Sequence, residues 1–249
     1  MQVLKVVAEG LTTSFRRPHF MWGVQPTFRM PPPATIYGHI CSALGDTVAP
    51  EGIAFAYHFT ALTGFSDVEH TIIVIESDKK RKLKGTDHLE ALQGSVQPFK
   101  RELLFRPRLV LYINRPEWLD AFRHPRYAVV LGRSQDLFRY SSLQVVELRQ
   151  EERAYFEHTL LPYDIAVQVG QGFTELLPRY LDYENKRTPT FARYLLLENR
   201  LVSDDLWIPE AREQTLFWVD PTSQQHEGAH LGLVFHTFVG GSYESLSLA

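Results

Sequence analysis

Three consecutive prolines, Pro31 to Pro33, constrain this chain more tightly than any other short stretch. Proline fixes φ near about −65°, lacks an N–H, and pushes the residue before it out of the helical region. Helix is therefore excluded at Met30 and Pro31. Immediately behind, the spacing of Ile36, Ile40 and Leu44 predicts a helix over Thr35 to Leu44, stopped by Gly45. Immediately in front lies a basic and aromatic loop with Arg16, Arg17, His19, Phe20, Trp22 and Arg29. A rigid turn thus delivers cationic and aromatic side chains to the start of a helix. The free N–H groups there, around Thr35, favour an anion such as phosphate. A proline-stiffened loop ahead of an ordinary amphipathic helix has the same composition, so the motif needs its context.

That context is an alternation of strands and helices. Val3 to Glu9 alternates as a strand, with Val3, Lys5, Val7 and Glu9 on one face and Leu4, Val6 and Ala8 on the other. Ile53 to Thr63 is rich in aromatic and β-branched residues and predicts a second strand. Leu103 to Ile113 predicts a third, with Pro107 marking an edge position or a bulge. Pro116 to Phe122 predicts a short helix with proline at its start, and Tyr127 to Leu131 a fourth strand. The order β–α–β–β–α–β is the ferredoxin-like (RRM-like) plan, an α+β fold. It takes in residues 1–140. After the fourth strand, Gly132, Arg133, Ser134 and Gln135 form a turn in which a glycine lets the backbone approach a ligand, beside phosphate and base-edge donors.

Between strands two and three lies an insertion, about residues 64–100. Thr71 to Ile75 is strand-like, and Lys79, Lys80, Arg81, Lys82 and Lys84 make five basic residues in six. Excursions of about 35 residues in a compact domain are functional or disordered, and here a projecting hairpin with a basic tip is expected. Residues 141–249 read as a mixed, strand-rich extension: Leu143 to Leu148, Ile165 to Val169, Thr190 to Glu198 and Gly232 to Val239 as strands, Glu175 to Tyr183 as helix. A ligand contact stays open for Lys186, Arg187 and Arg193, but surface ion pairs with the surrounding acids are expected.

Charge is divided unevenly. Residues 1–139 hold 18 Lys and Arg against 13 Asp and Glu, and residues 140–249 hold 8 against 16. A polyanion is therefore expected on the N-terminal part. The single cysteine, Cys41, excludes an internal disulfide framework and a cysteine zinc cluster. The chain has no apolar run of membrane-spanning length and opens without the pattern of a signal peptide, so a cytoplasmic protein is expected. Phosphate-loop, H-E-x-x-H, G-x-S-x-G and dinucleotide fingerprints are absent. No histidine pair has metal-ligand spacing on a helix, and no metal or cofactor is expected. His19, Tyr37 and His39 lie close enough in sequence for a metal-independent RNA-cleaving cluster to stay open as an alternative.

These features in order resemble the Cas-five family of CRISPR-associated proteins, in the repeat-associated mysterious protein (RAMP) superfamily. The resemblance rests on the Arg-rich loop after the first strand and on Pro32-Pro33-Ala34-Thr35-Ile36-Tyr37-Gly38 with Ala43-Leu44-Gly45. It rests further on the basic hairpin insertion and on Gly132-Arg133-Ser134. It covers residues 1–140, and the Ile-Tyr-Gly form is most similar to the type I-B branch. The resemblance implies a noncatalytic subunit of Cascade, the RNA-guided surveillance complex, that caps the 5′ handle of the CRISPR RNA. In that family the hairpin is a thumb between the handle and the first guide nucleotides. The implied partners are the backbone and large subunits and, through the complex, target DNA. One branch, type I-C, cleaves precursor RNA with a tyrosine, a lysine and a histidine close together; this chain has no Lys-His dipeptide. The RNA-binding set implied is Arg16, Arg17, His19, Phe20, Trp22, Arg29, Thr35, Tyr37, Lys79, Lys80, Arg81, Lys82, Gly132, Arg133, Ser134 and Gln135. Single-stranded RNA needs such a cationic track for phosphates and aromatic planes for bases.

Overall fold

In the computed structural model, which describes residues 1–19, 23–76, 82–88, 91–164, 169–203 and 216–240, the first strand, β1 (Gln2–Gly10), is followed by the short β2 (Thr12–Thr13) and β3 (Val24–Gln25). Helix α1 (Pro33–Leu44), β4 (Ala54–Thr60), β5 (Thr63–Glu76), β6 (Ala91–Phe105) and β7 (Arg108–Ile113) come next. A 3₁₀ turn, Pro116–Trp118, runs into α2 (Leu119–Arg123), and β8 (Phe138–Glu147) follows. The remaining strands are β9 (Arg149–Glu151), β10 (Ala154–Phe156), β11 (Thr159–Pro162), β12 (Phe173–Asp182) and β13 (Thr188–Leu197). The last are β14 (Leu201–Val202), β15 (Phe217–Asp220), β16 (His230–Gly232) and β17 (His236–Thr237).

The central sheet has the order β17-β4-β7-β1-β8, with every neighbouring pair antiparallel. Setting aside β17, the four strands β1, β4, β7 and β8, linked in pairs by the two helices, take the order second–third–first–fourth. That is the ferredoxin-like α+β plan expected from the element order. The alternation of β1 explains how the sheet is buried on both faces. Leu4, Val6 and Ala8 pack with Ile36 and Ile40 of α1 in one core. Val3 and Val7 join Tyr112, Leu231 and Phe235 in a second core on the opposite face. Lys5 interrupts that second apolar face, and its Nζ meets Asp220 Oδ2 at 2.5 Å. Helix α1 begins on Pro33 and ends on Gly45, whose φ of 83° returns its N–H to the Cys41 carbonyl at 2.8 Å.

Several expectations are corrected. The predicted third strand is two: Pro107 ends β6, and the chain moves from the hairpin into the central sheet there, with Arg106 at φ 48°. The fourth strand is not Tyr127 to Leu131, which contributes only an isolated bridge between Val130 and Leu137. It is β8, so the Gly132 turn precedes the fourth strand instead of following it. The second half of β8 coincides with the strand expected at Leu143 to Leu148, but β8 buries little as an edge strand, and a bulge opposite Val7 and Ala8 breaks the alternation of its first half. Glu175 to Tyr183 is not a helix; all but Tyr183 lies in β12, an edge strand, and Pro178 is tolerated there beside a second irregularity. Gly232 to Val239 holds the end of β16 and the two residues of β17 in place of one strand. The expected strand at Ile165 lies mostly outside the described residues.

The insertion forms the expected hairpin. β5 and β6 pair antiparallel from Thr63↔Phe105 to Glu76↔Ala91, and β2 and β3 add to the root of β6 at Phe105 and Lys100. Beyond β8 the chain is strand-rich, as expected. A five-stranded sheet, β14-β10-β16-β15-β9, covers the second face of the central sheet, and β11-β13-β12 forms a third sheet.

Candidate nucleic-acid interface

The loop from Phe15 to Met30 is built by folding back on itself. The Phe15 N–H donates to Thr27 Oγ1 at 2.8 Å, and the Phe28 N–H to the Phe15 carbonyl at 2.8 Å. Phe15, Phe28 and Met30 are buried, which turns Arg16 and Arg29 outward. The triple proline anchors this loop from below: Tyr57 Oη donates to the Pro31 carbonyl at 2.9 Å. His19 is exposed, and Phe20 and Trp22 lie outside the described residues. So do Lys79, Lys80 and Arg81 of the hairpin tip, whereas Lys82 is exposed and pairs with Asp87 at 2.9 Å.

The prolines that place α1 also remove donors from its N-terminus. Pro33 has no N–H, and the N–H groups of Thr35 and Ile36 both donate to the Pro32 carbonyl, at 2.8 and 3.2 Å. The anion site expected there is therefore mostly occupied by the chain's own carbonyl. Gly132 behaves similarly. Its φ is 94°, and a Cβ would stand 2.5 Å from Thr13 Oγ1 and 2.7 Å from the Ser14 carbonyl oxygen. The close approach that needs glycine is to the chain itself, not to a ligand.

The predicted arginines fall into two kinds. Arg133 is locked: it binds Asp136 with Nε and Nη2 at 2.8 and 2.7 Å, and Nη1 binds Glu69. Glu69 also accepts from Arg101 at 2.7 Å, so Arg133 braces the root of the hairpin against the Gly132 turn. Ser134 and Gln135 are exposed on that turn. Arg17 is bound to Glu175 of β12 and lies 4.7 Å over the Phe28 ring. Arg29 holds Glu198 at 2.8 Å and lies 4.7 Å over Phe173. Arg17, Arg29 and Glu198 line a groove of about 880 Å³ between the hairpin root and the end of β13. Arg16 is exposed, and among the described residues no acid pairs with it.

Tyr37 belongs to the core. It is fully buried, packs edge-on against Tyr180 and Phe238, and donates its hydroxyl to the Val48 carbonyl. Burial holds its hydroxyl protonated well above the ordinary range. His39 is also buried, with Nδ1 at 2.8 Å from the Val130 carbonyl and Nε2 at 3.1 Å from Tyr140 Oη. Nδ1 must carry the proton to meet a carbonyl, which leaves Nε2 to accept from Tyr140. Burial lowers the His39 pKa, and the ring is neutral.

The far wall of the second groove adds Tyr183 and Phe191, which were not among the expected site residues, to Arg187. This groove, about 450 Å³, runs over the start of α1 from Arg16, Thr35 and Gly132 to Tyr183, Arg187 and Phe191. The last three come from the β12–β13 hairpin. Lys186 and Arg187 take φ of 52° and 59° at its tip, and the Thr188 N–H donates to the Asn185 carbonyl at 3.0 Å. Two consecutive left-handed residues make a type I′ turn, usually Asn-Gly, and a Lys-Arg pair holds it at a cost in strain. The expected ion pairs do not form: among the described residues no acid pairs with Arg187 or Arg193. Arg187 instead lies 5.4 Å over the Tyr183 ring, and Arg193 5.6 Å over Tyr163. Tyr183 and Phe191 are each 38% exposed, which leaves aromatic faces beside two cations. The available signal was that strained Lys-Arg turn flanked by aromatic residues.

No helix among the described residues is long and apolar enough to cross a membrane, and none of their side chains cluster as metal ligands. No protein-family model and no curated protein matches the chain. Solved structures do. A chain described as "CRISPR RNA-guided surveillance complex" is 15% identical, with 85% of this chain and 95% of that one covered, at a TM-score of 0.50. A chain of a Type III-B Cmr-beta complex bound to cognate target RNA is 12% identical, with coverage of 80% and 85% and a TM-score of 0.46. A CRISPR protein from Archaeoglobus fulgidus is 12% identical, with coverage of 81% and 91% and a TM-score of 0.41. At such identity only the fold is established, and it is the fold of a chain in an RNA-guided CRISPR surveillance complex, shared along nearly its whole length.

Proposed function

We propose that this chain is a noncatalytic subunit of a type I, I-B-like CRISPR effector complex, where it binds and caps the 5′ handle of the CRISPR RNA. The observation that carries the reading is the ferredoxin-like sheet with a long hairpin rooted between its second and third strands. Its support is the fold shared with the surveillance-complex chain and the helix-entry motif Pro32 to Gly38. The handle lies across the groove over α1, with its phosphates on Arg16 and Arg187 and its splayed bases against Tyr183 and Phe191. Base–aromatic stacking contributes ~1–3 kcal/mol per base and tolerates any sequence. The hairpin β5–β6 stands where handle gives way to guide, and the complex's backbone and large subunits are the protein partners. Through them the chain takes part in reading target DNA, in the cytoplasm.

The alternative, metal-independent cleavage of precursor RNA, has least to act with where it was expected, since Tyr37 and His39 are inside the core. The test is binding of purified protein to handle RNA and to a scrambled RNA, for wild type and for Arg16→Ala with Arg187→Ala. The handle is expected to bind more tightly, and the double variant to lose about 1.4 from the slope of log affinity against log salt, ~0.7 per phosphate contact. Equal affinity for both RNAs with an unchanged slope rejects the reading. Cleavage of repeat RNA in EDTA rejects the noncatalytic part of it.

A further inference from the structure

A second cationic cleft lies at the end of the central sheet and shares no residue with either groove. Three adjacent strands bring it together. Glu9 near the end of β1 is in register with Arg108 on β7 and with Arg139 on β8. Arg108 Nε stands 3.5 Å and Arg139 Nη2 3.1 Å from the Glu9 carboxylate, so one acid is flanked by two arginines. Arg106 joins them from the corner between β6 and β7, where its left-handed backbone is fixed by an N–H bond to the Leu11 carbonyl at 2.8 Å. The cleft is about 580 Å³ and is walled by Leu11, Pro107 and Leu137. Leu11 and Leu137 are 65% and 63% exposed.

We propose that this cleft is a docking site for the phosphodiester backbone of a nucleic-acid strand other than the handle. Three guanidiniums against one carboxylate leave an excess of two positive charges. Two of them stand on neighbouring strands and the third at the β6–β7 corner, all with fork-shaped donors that suit phosphate oxygens. The guanidinium side chains of Arg108 and Arg139 are 46% and 79% exposed, so a strand can reach them. The isolated leucine walls offer contact for sugars and too little continuous apolar area for a protein interface, which needs ~800 Å² on each side. The site stands independently of the handle reading, because it needs only charge and shape.

The test is fluorescence anisotropy with the full chain, a labelled duplex DNA and a labelled single-stranded RNA of unrelated sequence, titrated at several salt concentrations. Arg108→Gln with Arg139→Gln should lower the salt slope by ~1.8 for duplex or ~1.4 for single strand, ~0.9 and ~0.7 per contact. The arm that changes identifies the strand. Glu9→Gln removes the competing charge and keeps the arginines, so it should tighten binding severalfold, and it controls for any folding defect in the double variant. Unchanged binding in both variants overturns the site. Loss of co-purifying protein subunits with nucleic-acid binding unaltered overturns it in favour of a protein contact.

Discussion

The acidic C-terminal half reaches into the groove at the hairpin root and holds two of the arginines expected to meet RNA, Arg17 and Arg29. Glu175 takes Arg17 and Glu198 takes Arg29, so any phosphate arriving there must displace a carboxylate. Replacing both with glutamine keeps shape and one acceptor at each position but removes the competing charge. The side chains of Arg29 and Glu198 are 55% and 32% exposed, and those of Arg17 and Glu175 are 29% and 16% exposed. Pairs with that much water contact contribute ~0.2–1 kcal/mol each, so freeing two arginines is worth ~0.4–2 kcal/mol, about 2- to 30-fold in RNA affinity. The salt slope should steepen by about 1.4 if both arginines then take phosphates. Glu175 Oε2 is buried without a hydrogen-bond partner among the described residues, so its loss of charge is also expected to be tolerated by the fold. Anisotropy with a single-stranded handle RNA, from low to moderate salt, measures both quantities. Affinity and slope equal to wild type in Glu175→Gln with Glu198→Gln refute the exchange, and so does weaker binding.

Two further outcomes concern stability. Asp220 accepts from Lys5, Tyr112 and Thr222 between the central and covering sheets. Burial by itself raises its pKa, but those hydrogen bonds and the charge of Lys5 outweigh it and hold the carboxyl below its ordinary range. A depressed carboxylate stabilises the fold above the ordinary carboxylate range, and the contribution is lost as pH falls through the folded value. Lys5→Met should cost ~3–5 kcal/mol by leaving a buried charge unpaired. Asp220→Asn should flatten the acid limb of a urea-unfolding series against pH. An acid limb unchanged by Asp220→Asn counts against the linkage. Gly132→Ala places a methyl group against Thr13 and Ser14 at a φ of 94°, and should destabilise by ~1–3 kcal/mol in urea unfolding. A stability equal to wild type would show that the turn relaxes freely.

What the sequence determined by itself was local. The prolines and Gly45 set both ends of α1, because backbone sterics act over a few residues. The alternation of β1 gave its two faces, because the side-chain period of a strand is two. The length of the insertion and its strand-like segment foretold the hairpin. Tertiary structure decided the rest. Val130 and Leu131 read as strand, yet the fourth strand is the more polar β8, because an edge position asks little burial of its residues. Whether an arginine is free is likewise a matter of which carboxylate folds against it. Arg17 meets Glu175 and Arg133 meets Glu69 across 158 and 64 residues of chain. Arg187 reaches the groove over α1 only because the β12–β13 hairpin packs there, and Coulomb and stacking interactions at such separations leave no mark on sequence spacing.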